Sequence, residues 1–384
     1  MKAARVVAVA SRECREVVRD RLFFVMSFLI PPVLLLAFGY GLSLDVRDNP
    51  FAVLDYDRTP LSRDYLHQFM DSPYFKFKGY VEDERDVADL LTAGGIRAVI
   101  VIPEHFQQRL LEGRPASVQT LIDGTFPVRA QTTIGYVDGI NRKFSMRVMS
   151  EYLARTAGII VARAQSILDP IQVEVRYLYN ASLKSDWSLT PRLMMMVLMI
   201  CPPLLTSMGV VREKETGAIY NIYSSTITKG EYLLGKLFPY VMVSTFNVLV
   251  LWVMAVQLFG APFRGDPLFF FAASTLYIIC TTGIGLIVSV LVRTQVAATL
   301  ITFICTVVPS VFYSGVFVPI LALSKSARFV AHLLPAMYYT DIVTGCFLKG
   351  IGLRLLWVDA AVLIAYVAAL YAVGYLVFRK RPKS

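Results

Sequence analysis

Long apolar runs dominate this chain and are interrupted by one extended polar stretch. Six of the runs carry few charges and reach about 20 residues, the length at which a helix crosses the hydrocarbon core of a bilayer. They cover residues 22–44, 189–211, 237–259, 268–292, 296–318 and 355–378. The pattern therefore predicts an α-helical polytopic membrane protein with six transmembrane helices.

The polar stretch, residues 45–188, alternates short apolar runs with amphipathic segments. Strand-like runs lie at 51–57, 97–103 and 117–123, and helical patterns lie near 62–70, 84–92 and 104–112. Such alternation is typical of a small α/β domain, here inserted between helices 1 and 2. Within the same stretch, helical spacing over 127–168 predicts one long helix, and 173–179 predicts a returning strand.

Basic residues and valines alternate through residues 1–21. At helical spacing they form a basic amphipathic segment that lies on the inner leaflet of the membrane. Alternatively, these charges simply orient the first span, and both interpretations stay open. The apolar run at 22–44 is too long for a cleaved signal peptide, and no A-x-A site follows it. We therefore expect it to remain as the first span.

Composition excludes an ordinary soluble protein. Hydrophobic residues make up 56% of the 384 residues and charged residues 17%, and the mean hydropathy is +0.57. The net charge of +10 does not indicate a nucleic-acid partner, because the basic residues flank the spans instead of forming one patch. Membrane lipid is the partner that this arrangement implies.

The distribution of lysine and arginine predicts the orientation of the spans. These residues are about three times as frequent in the short flanks on the side of the N-terminus as on the opposite side, and cytoplasmic loops carry such an excess. Both termini, including the tail at 379–384, are therefore expected in the cytoplasm. The α/β domain is then extracytoplasmic, and a transmembrane domain at 189–378 holds the other five spans.

Candidate catalytic and metal-binding groups are sparse. None of the five cysteines lies in the α/β domain, so that domain has no disulfide framework. Glu104 and His105 lack the spacing of a metal site such as HExxH. Asp55, Asp57 and Asp123 end apparent strands, and we interpret them as turn or capping residues. The sequence predicts no catalytic, cofactor-binding or metal-binding residue, which disfavours a membrane enzyme.

The most distinctive segment lies between the second and third spans. It reads REKETG from residue 212 and TKGEYLLGK from residue 228. It is too short to be a domain and is rich in charge, which indicates contact with another protein. Residues 230–236 also fit GxxxxGK, but Leu237 stands where a P-loop needs Ser or Thr, and no buried strand precedes the motif. The chain itself is therefore not expected to bind or hydrolyse ATP.

These two motifs resemble the cytoplasmic loop of type 2 ABC transporter permeases, in particular drug-exporter-type subunits with a large extracytoplasmic domain. Stretches at 54–63, 101–106, 334–339 and 347–350 are also similar to that family, so the resemblance covers most of the chain. In the family this loop is the coupling helix region, which receives movement from a separate ATPase. The resemblance assigns coupling to Arg212, Glu213, Lys214, Glu215, Thr216, Gly217, Lys229, Glu231 and Lys236. It implies that the REKE run contacts the ATPase surface, with Glu213 and Glu231 as the foremost candidates.

The resemblance also implies an assembly. The chain would be the membrane-spanning permease subunit of an ATP-driven exporter in a bacterial inner membrane, with ATP and Mg²⁺ on a partner ABC ATPase. A second permease copy or paralogue would complete a dimer, and a periplasmic adaptor and an outer-membrane channel would be further partners. Drugs or other amphipathic compounds are the expected cargo. The alternative is a membrane sensor or scaffold whose extracytoplasmic domain binds a signal without transport.

Few polar features lie inside the predicted spans. Asp359 is the one clear ionisable residue there, and it either lines the route or reaches the outer interface. The methionines within 194–199 give either an adaptable substrate surface or ordinary packing. Pro202, Pro203 and Pro309 are expected to interrupt their helices. Asp359 and these three prolines are the candidate pathway or gating residues.

Overall fold

The computed structural model describes residues 3–42, 48–92, 94–158, 160–168, 176–218 and 226–378. The chain divides into two compact units. One, here called the membrane unit, comprises Met1–Ser43 and Tyr177–Ser384, and the other, the α/β unit, comprises Leu44–Arg176. The predicted insert reached residue 188, whereas the α/β unit ends at Arg176.

Helices form most of the membrane unit and about half of the α/β unit. In chain order they are α1 (Ala3–Arg19), α2 (Arg21–Gly41), α3 (Pro60–Met70), α4 (Glu84–Thr92), α5 (Phe106–Leu111), α6 (Pro127–Ala157), α7 (Val161–Leu168), α8 (Ser185–Glu215), α9 (Lys229–Leu258), α10 (Pro267–Leu291), α11 (Gln295–Tyr313), α12 (Lys325–His332), α13 (Pro335–Thr344) and α14 (Leu353–Val377). The strands, all in the α/β unit, are β1 (Asn49–Asp55), β2 (Phe75–Tyr80), β3 (Ala98–Ile102) and β4 (Gln119–Ile122).

Among the described residues, six helices are long and apolar enough to cross a membrane, namely α2, α8, α9, α10, α11 and α14. This agrees with the prediction of a polytopic membrane protein with six spans. The helix ends differ from the predicted ones, most clearly for α9, which begins at Lys229 instead of residue 237. It begins early because Thr228 and Glu231 form a capping box that satisfies the first free N–H groups of the helix.

Helix α8 is the centre of the membrane unit. It contacts α2, α9, α10, α11 and α13, and its most apolar stretch is completely buried. The predicted interruption at Pro202 and Pro203 is wrong, because α8 continues through both. Gly285 of α10 lies so close to the Pro203 carbonyl that no side chain would fit, so a neighbouring helix supports the backbone there. Pro309 likewise lies within the continuous helix α11, and the same prediction is wrong for it.

The α/β unit is a four-stranded sheet in the order β2-β1-β3-β4. β1 is parallel to β2 and β3, and β3 is antiparallel to β4. All five residues of β3 are buried, as expected for a central strand that is covered on both faces. Phe51 and Val53 of β1 pack with α3 and α6 on one face, and Ala52 and Leu54 pack with α4 on the other.

Three details of this unit differ from the prediction. Strand β2 was missed, because its alternating FKFKGY sequence belongs to a sheet edge and carries lysines where a buried strand would be apolar. The single helix predicted over 127–168 is wrong. The chain leaves the helix at Gly158, whose φ of 63° ends α6, and α7 follows. The strand predicted at 173–179 lies partly outside the described residues, and its described part, 176–179, is not a strand.

The aspartates at the strand ends organise turns. Asp55 accepts hydrogen bonds from two backbone N–H groups of the turn that follows it, each at 3.0 Å. Asp57 accepts one from Gln107 N at 3.0 Å, and Asp123 accepts one from Thr125 N at 2.9 Å. The interpretation of these aspartates as turn and capping residues is confirmed.

Candidate functional site

The REKE run forms the last turn of α8, and its first member connects that turn to the start of α2. The Arg212 guanidinium lies 2.7 Å from a carboxylate oxygen of Asp20 and 5.4 Å from the centre of the Phe23 ring. Asp20 also accepts a hydrogen bond from Leu22 N at 2.9 Å, which caps α2. Slight burial acts to raise the pKa of Asp20, but the backbone N–H groups and the guanidinium outweigh it, so that this pKa lies below its ordinary value.

The last two members of the run contact the ends of α10 and α11. Lys214 donates from Nζ to the backbone carbonyl oxygens of Ser289 and, at 3.4 Å, Val292, where α10 leaves carbonyl groups without helical partners. Glu215 accepts from the backbone N–H of Gln295 at 3.1 Å and from its side-chain amide at 2.9 Å, at the start of α11. Each charge has the sign that stabilises the helix end it contacts.

The second member, Glu213, points into a group of five side chains that we call the buried charge cluster. Its members come from α1, α8 and α9, and each is at most 5% exposed: Glu13, Glu213, Tyr232, Lys236 and Tyr240. Lys236 Nζ lies 2.6 Å from Glu13 Oε2 and 3.1 Å from Glu213 Oε1. Tyr240 donates its hydroxyl to Glu13, and Tyr232 donates to Glu213. One ammonium group therefore joins two carboxylates, and each carboxylate has its own phenol donor.

Burial and the neighbouring charges act on Glu13 of the cluster in opposite directions. Burial raises the pKa of Glu13, and the nearby Lys236 ammonium and the Tyr240 hydroxyl only partly offset this. Arg12 adds a more distant positive charge, with Nη2 at 4.0 Å from Glu213 Oε1. Removing one partner of such a buried pair typically costs about 3–5 kcal/mol, because the remaining charge is left without compensation.

Helix α1 reaches this cluster by crossing α9 in close contact. Gly235 marks the crossing, since a Cβ atom there would lie 2.7 Å from Val9 Cβ and 2.9 Å from the Val6 carbonyl oxygen. Near the start of α1, Arg5 donates to the backbone oxygen of Thr226 at 2.7 Å. Helix α1 therefore packs against the start of α9, a contact that neither interpretation of the basic segment included. The predicted placement of α1 on a lipid leaflet stays a prediction.

Glu231 has a local role at the start of α9. Its carboxylate accepts from Thr228 N at 2.9 Å, while its own N–H donates to Thr228 Oγ1 at 3.3 Å. Arg5 Nη1 lies 3.7 Å from this carboxylate, which is almost fully buried. Residues 230–236 are thus helical, and Lys236 belongs to the cluster, so the GxxxxGK match has no phosphate-binding loop.

The remaining predicted coupling residues lie at the same helix ends. Thr216 donates its hydroxyl to the Arg212 carbonyl at 2.9 Å, and Gly217, with φ of 75°, ends α8. Lys229 is the first residue of α9 and is half-buried. Glu213 and Glu231 are not surface residues, whereas Glu215 and Thr216 are exposed. The structure therefore brings the predicted residues together, but mostly through contacts inside the chain.

Sequence reasoning missed three members of the cluster, namely Glu13, Tyr232 and Tyr240. A signal for Glu13 was present, because Val9, Glu13 and Val17 are spaced four residues apart and share one face of α1. A lone acid on the apolar face of a basic helix indicates a buried partner. The tyrosines carried no such signal, because an aromatic residue in a span is ordinary core material.

The predicted pathway residues are dispersed. Asp359 is half-buried, near the start of α14, and Pro202, Pro203 and Pro309 lie inside α8 and α11. The methionines within 194–199 are buried in the core of the membrane unit, which fits the packing interpretation.

Comparison with known proteins identifies the class. The fold is that of a polytopic membrane protein, with charged contacts linking the ends of its spans. The sequence profile of the ABC-2 family transporter proteins matches residues 21–376. The chain belongs to this family, as the resemblance implied. Family membership implies a membrane transport subunit that works with an ABC ATPase.

Several curated relatives cover nearly the whole chain. The probable multidrug ABC transporter permease YbhS of Escherichia coli K12 is 29% identical over 379 residues, which are 98% of this chain and 97% of the relative. The probable multidrug permease YbhR of the same organism is 23% identical over 92% of this chain and 93% of its own length. The linearmycin resistance permease protein LnrN of Bacillus subtilis is 20% identical over 98% and 99%, respectively.

Proposed function

We propose that this chain is the membrane-spanning subunit of an ATP-driven exporter that moves drugs or other amphipathic compounds out across a bacterial inner membrane. ATP is hydrolysed on a separate ABC ATPase, and two permease copies or paralogues form the path. The names of the relatives, which include multidrug permeases and a linearmycin resistance permease, support the cargo class. The length over which they align supports the same role for the whole chain.

The observation that carries this proposal is the set of contacts made by the REKE run. In one helical turn, its four side chains contact the start of α2, the first turns of α9, the end of α10 and the start of α11. A force applied just beyond α8 would therefore reach the ends of four spans together. An ATPase that docks there would use the exposed Glu215 and Thr216 as surface contacts. Glu213 would transmit the movement inside the chain, and Glu231 would fix the start of α9.

The orientation and further partners complete the proposal. The excess of lysine and arginine supports cytoplasmic termini and a cytoplasmic REKE end. The α/β unit is then extracytoplasmic, where it would meet a periplasmic adaptor that leads to an outer-membrane channel. These partners are proposed by family analogy, and the partner ATPase is the one to test first.

The test is co-purification of the tagged chain from native membranes in mild detergent, with partners identified by mass spectrometry. We expect recovery of a P-loop ATPase. A variant with the REKETG sequence at 212–217 shuffled should lose it while remaining in the membrane. The matched control shuffles KSAR at 325–328 in α12 and should retain the ATPase. If the unaltered chain recovers no ATPase under conditions that preserve other membrane complexes, the exporter proposal fails and the sensor or scaffold alternative takes its place.

A further inference from the structure

The α/β unit contains a cavity that its own side chains do not fill. It lies between α5, the segment after it and α6, and its volume is about 380 Å³. That volume falls within the roughly 300–1,000 Å³ typical of sites for small molecules. Every residue lining the cavity belongs to this unit, so its shape is defined within one compact part of the chain.

The inner wall is aromatic and rigid. Tyr65, Phe106 and Phe144 line it, and all three are at most 4% exposed. Their rings contact one another, with centroids 5.0 Å apart for Tyr65 and Phe144 and 5.7 Å apart for Tyr65 and Phe106. Val148 and Met149 of α6 continue the apolar wall. Such a surface binds the apolar body of a ligand by excluding water.

The polar side chains at the cavity are an amide, several hydroxyls and one cation. Asn141 accepts a hydrogen bond from the Tyr65 hydroxyl through its side-chain oxygen, so its amide N–H groups lie on the other side of the side chain. Arg114 lies at the rim, and its side chain is 74% exposed. Its pairing with Glu112 at 3.4 Å is exposed and therefore weak. No carboxylate belongs to the lining, so the cavity favours an acceptor or an anion.

Backbone geometry keeps the cavity wall in place. Gly113 has φ of 73°, and a Cβ atom there would lie 2.6 Å from the Tyr152 ring, which also lines the cavity. A side chain at this position would be strained and would push Tyr152 aside. Gly113 thus serves two purposes, since its positive φ ends α5 and its missing side chain lets the segment that carries Arg114 lie close to α6.

We propose that this cavity binds an amphipathic anion of drug size, with its apolar body against the aromatic wall and its acidic group at Asn141 and Arg114. The proposal does not rest on the exporter proposal, because a sensor would need such a site equally. A fatty carboxylate has the required chemistry and serves as the probe.

The test is photolabelling of the full-length chain in phosphatidylcholine nanodiscs with a diazirine analogue of lauric acid. Labelled peptides are then mapped by mass spectrometry. We expect label on 106–118 and 141–152, in addition to label on the lipid-facing spans, which serves as an internal measure of loading. The corresponding fatty alcohol should label the two cavity peptides less than the acid does. Label confined to the spans would overturn the proposal.

Two variants and a control sharpen the test. Ser145→Trp fills the cavity from its exposed rim and should abolish labelling of the cavity peptides, whereas Glu151→Trp on the same helix, outside the lining, should not. Arg114→Gln should lower the preference for the acid over the alcohol about threefold, the effect of one exposed charge contact. If the cavity peptides are labelled equally in Ser145→Trp, the cavity is not the site. If Arg114→Gln leaves the preference unchanged, the anion assignment is wrong.

Discussion

Two groups of charged side chains in the membrane unit lie in apolar surroundings, and their charges are compensated to different extents. In the buried charge cluster, Lys236 contacts two carboxylates, and each carboxylate also accepts from a tyrosine. Elsewhere in α8, Arg192 donates to the Val316 carbonyl at 3.3 Å and interacts with the charge of Asp341, but its Nε has no hydrogen-bond partner among the described residues. A compensated cluster fixes the geometry of three helices, whereas a partly compensated arginine leaves bonding capacity unused. The first arrangement suits transmission of force, and the second contributes little to stability.

The largest expected effect tests the compensated cluster. Lys236→Met removes the ammonium and leaves Glu13 and Glu213 buried side by side, so the membrane unit should lose about 3–5 kcal/mol of stability. Thermal unfolding of the purified chain in detergent measures this. Adding Glu13→Gln to the same chain removes one of the two carboxylates and should restore part of the loss. A Lys236→Met chain as stable as the unaltered one would show that the cluster is not compensated as described.

A second test separates the packing of α1 from its charge. Gly235→Ala places a methyl group against Val9 and the Val6 backbone and should cost about 1–3 kcal/mol, the usual penalty for overpacking. Gly230→Ala on the same helix is the matched control, since its nearest neighbour would be 4.0 Å away. The protection of α1 from added protease measures its contact with α9 directly. Equal protection in the two variants would mean that α1 does not depend on this crossing.

The pH dependence of stability reports on Glu13. Because burial raises its pKa in the folded state, the folded chain holds this proton more tightly than the unfolded chain. Stability from this group is therefore fully present below about pH 4.5, its ordinary value, and is lost as pH rises through the raised pKa. Glu13→Gln should flatten the stability profile in this range. A slope in Glu13→Gln that is unchanged or steeper would contradict the assignment.

The smallest expected effect is that of a substitution at Arg192. Arg192→Met removes one hydrogen bond and a positive charge that interacts with Asp341 without forming a close ion pair. Stability should therefore fall by about 1 kcal/mol, less than in Lys236→Met. The same unfolding assay provides the comparison with Lys236→Met. If both substitutions destabilise the chain equally, the contrast between the two regions disappears.

The sequence predicted much of the fold, for identifiable physical reasons. Membrane spans need long apolar runs, and the central strands β1 and β3 need short ones, so both were visible without tertiary information. The edge strand β2 and the end of α6 at Gly158 were missed. The lysines of β2 and the positive φ of Gly158 are local features that hydrophobic periodicity does not reveal. Continuity through Pro202 and Pro203 was mispredicted, because packing by α10 supports a backbone that an isolated helix would not maintain.

The sequence pointed to the segment that carries the candidate site but not to the contacts between its side chains. The REKE and TKGEYLLGK motifs lie in the segment that holds these contacts, and Lys236 was among the residues named, but the role of the segment in coupling stays a prediction. Glu13 is 223 residues away from Lys236 and 227 from Tyr240, and only the fold brings α1 onto α9. The resemblance implied that Glu213 contacts the ATPase surface, whereas this residue is 5% exposed and its carboxylate contacts Tyr232 and Lys236.

The central claim is that Glu213 transmits ATPase movement to the spans. The most direct measurement is the amount of substrate exported per ATP hydrolysed, using the permease and its ATPase reconstituted together in vesicles. We predict that Glu213→Gln still assembles with the ATPase and hydrolyses ATP but exports far less per ATP, whereas substitution of the exposed Glu151 by Gln has no such effect. An unchanged ratio in an intact Glu213→Gln complex would contradict the account.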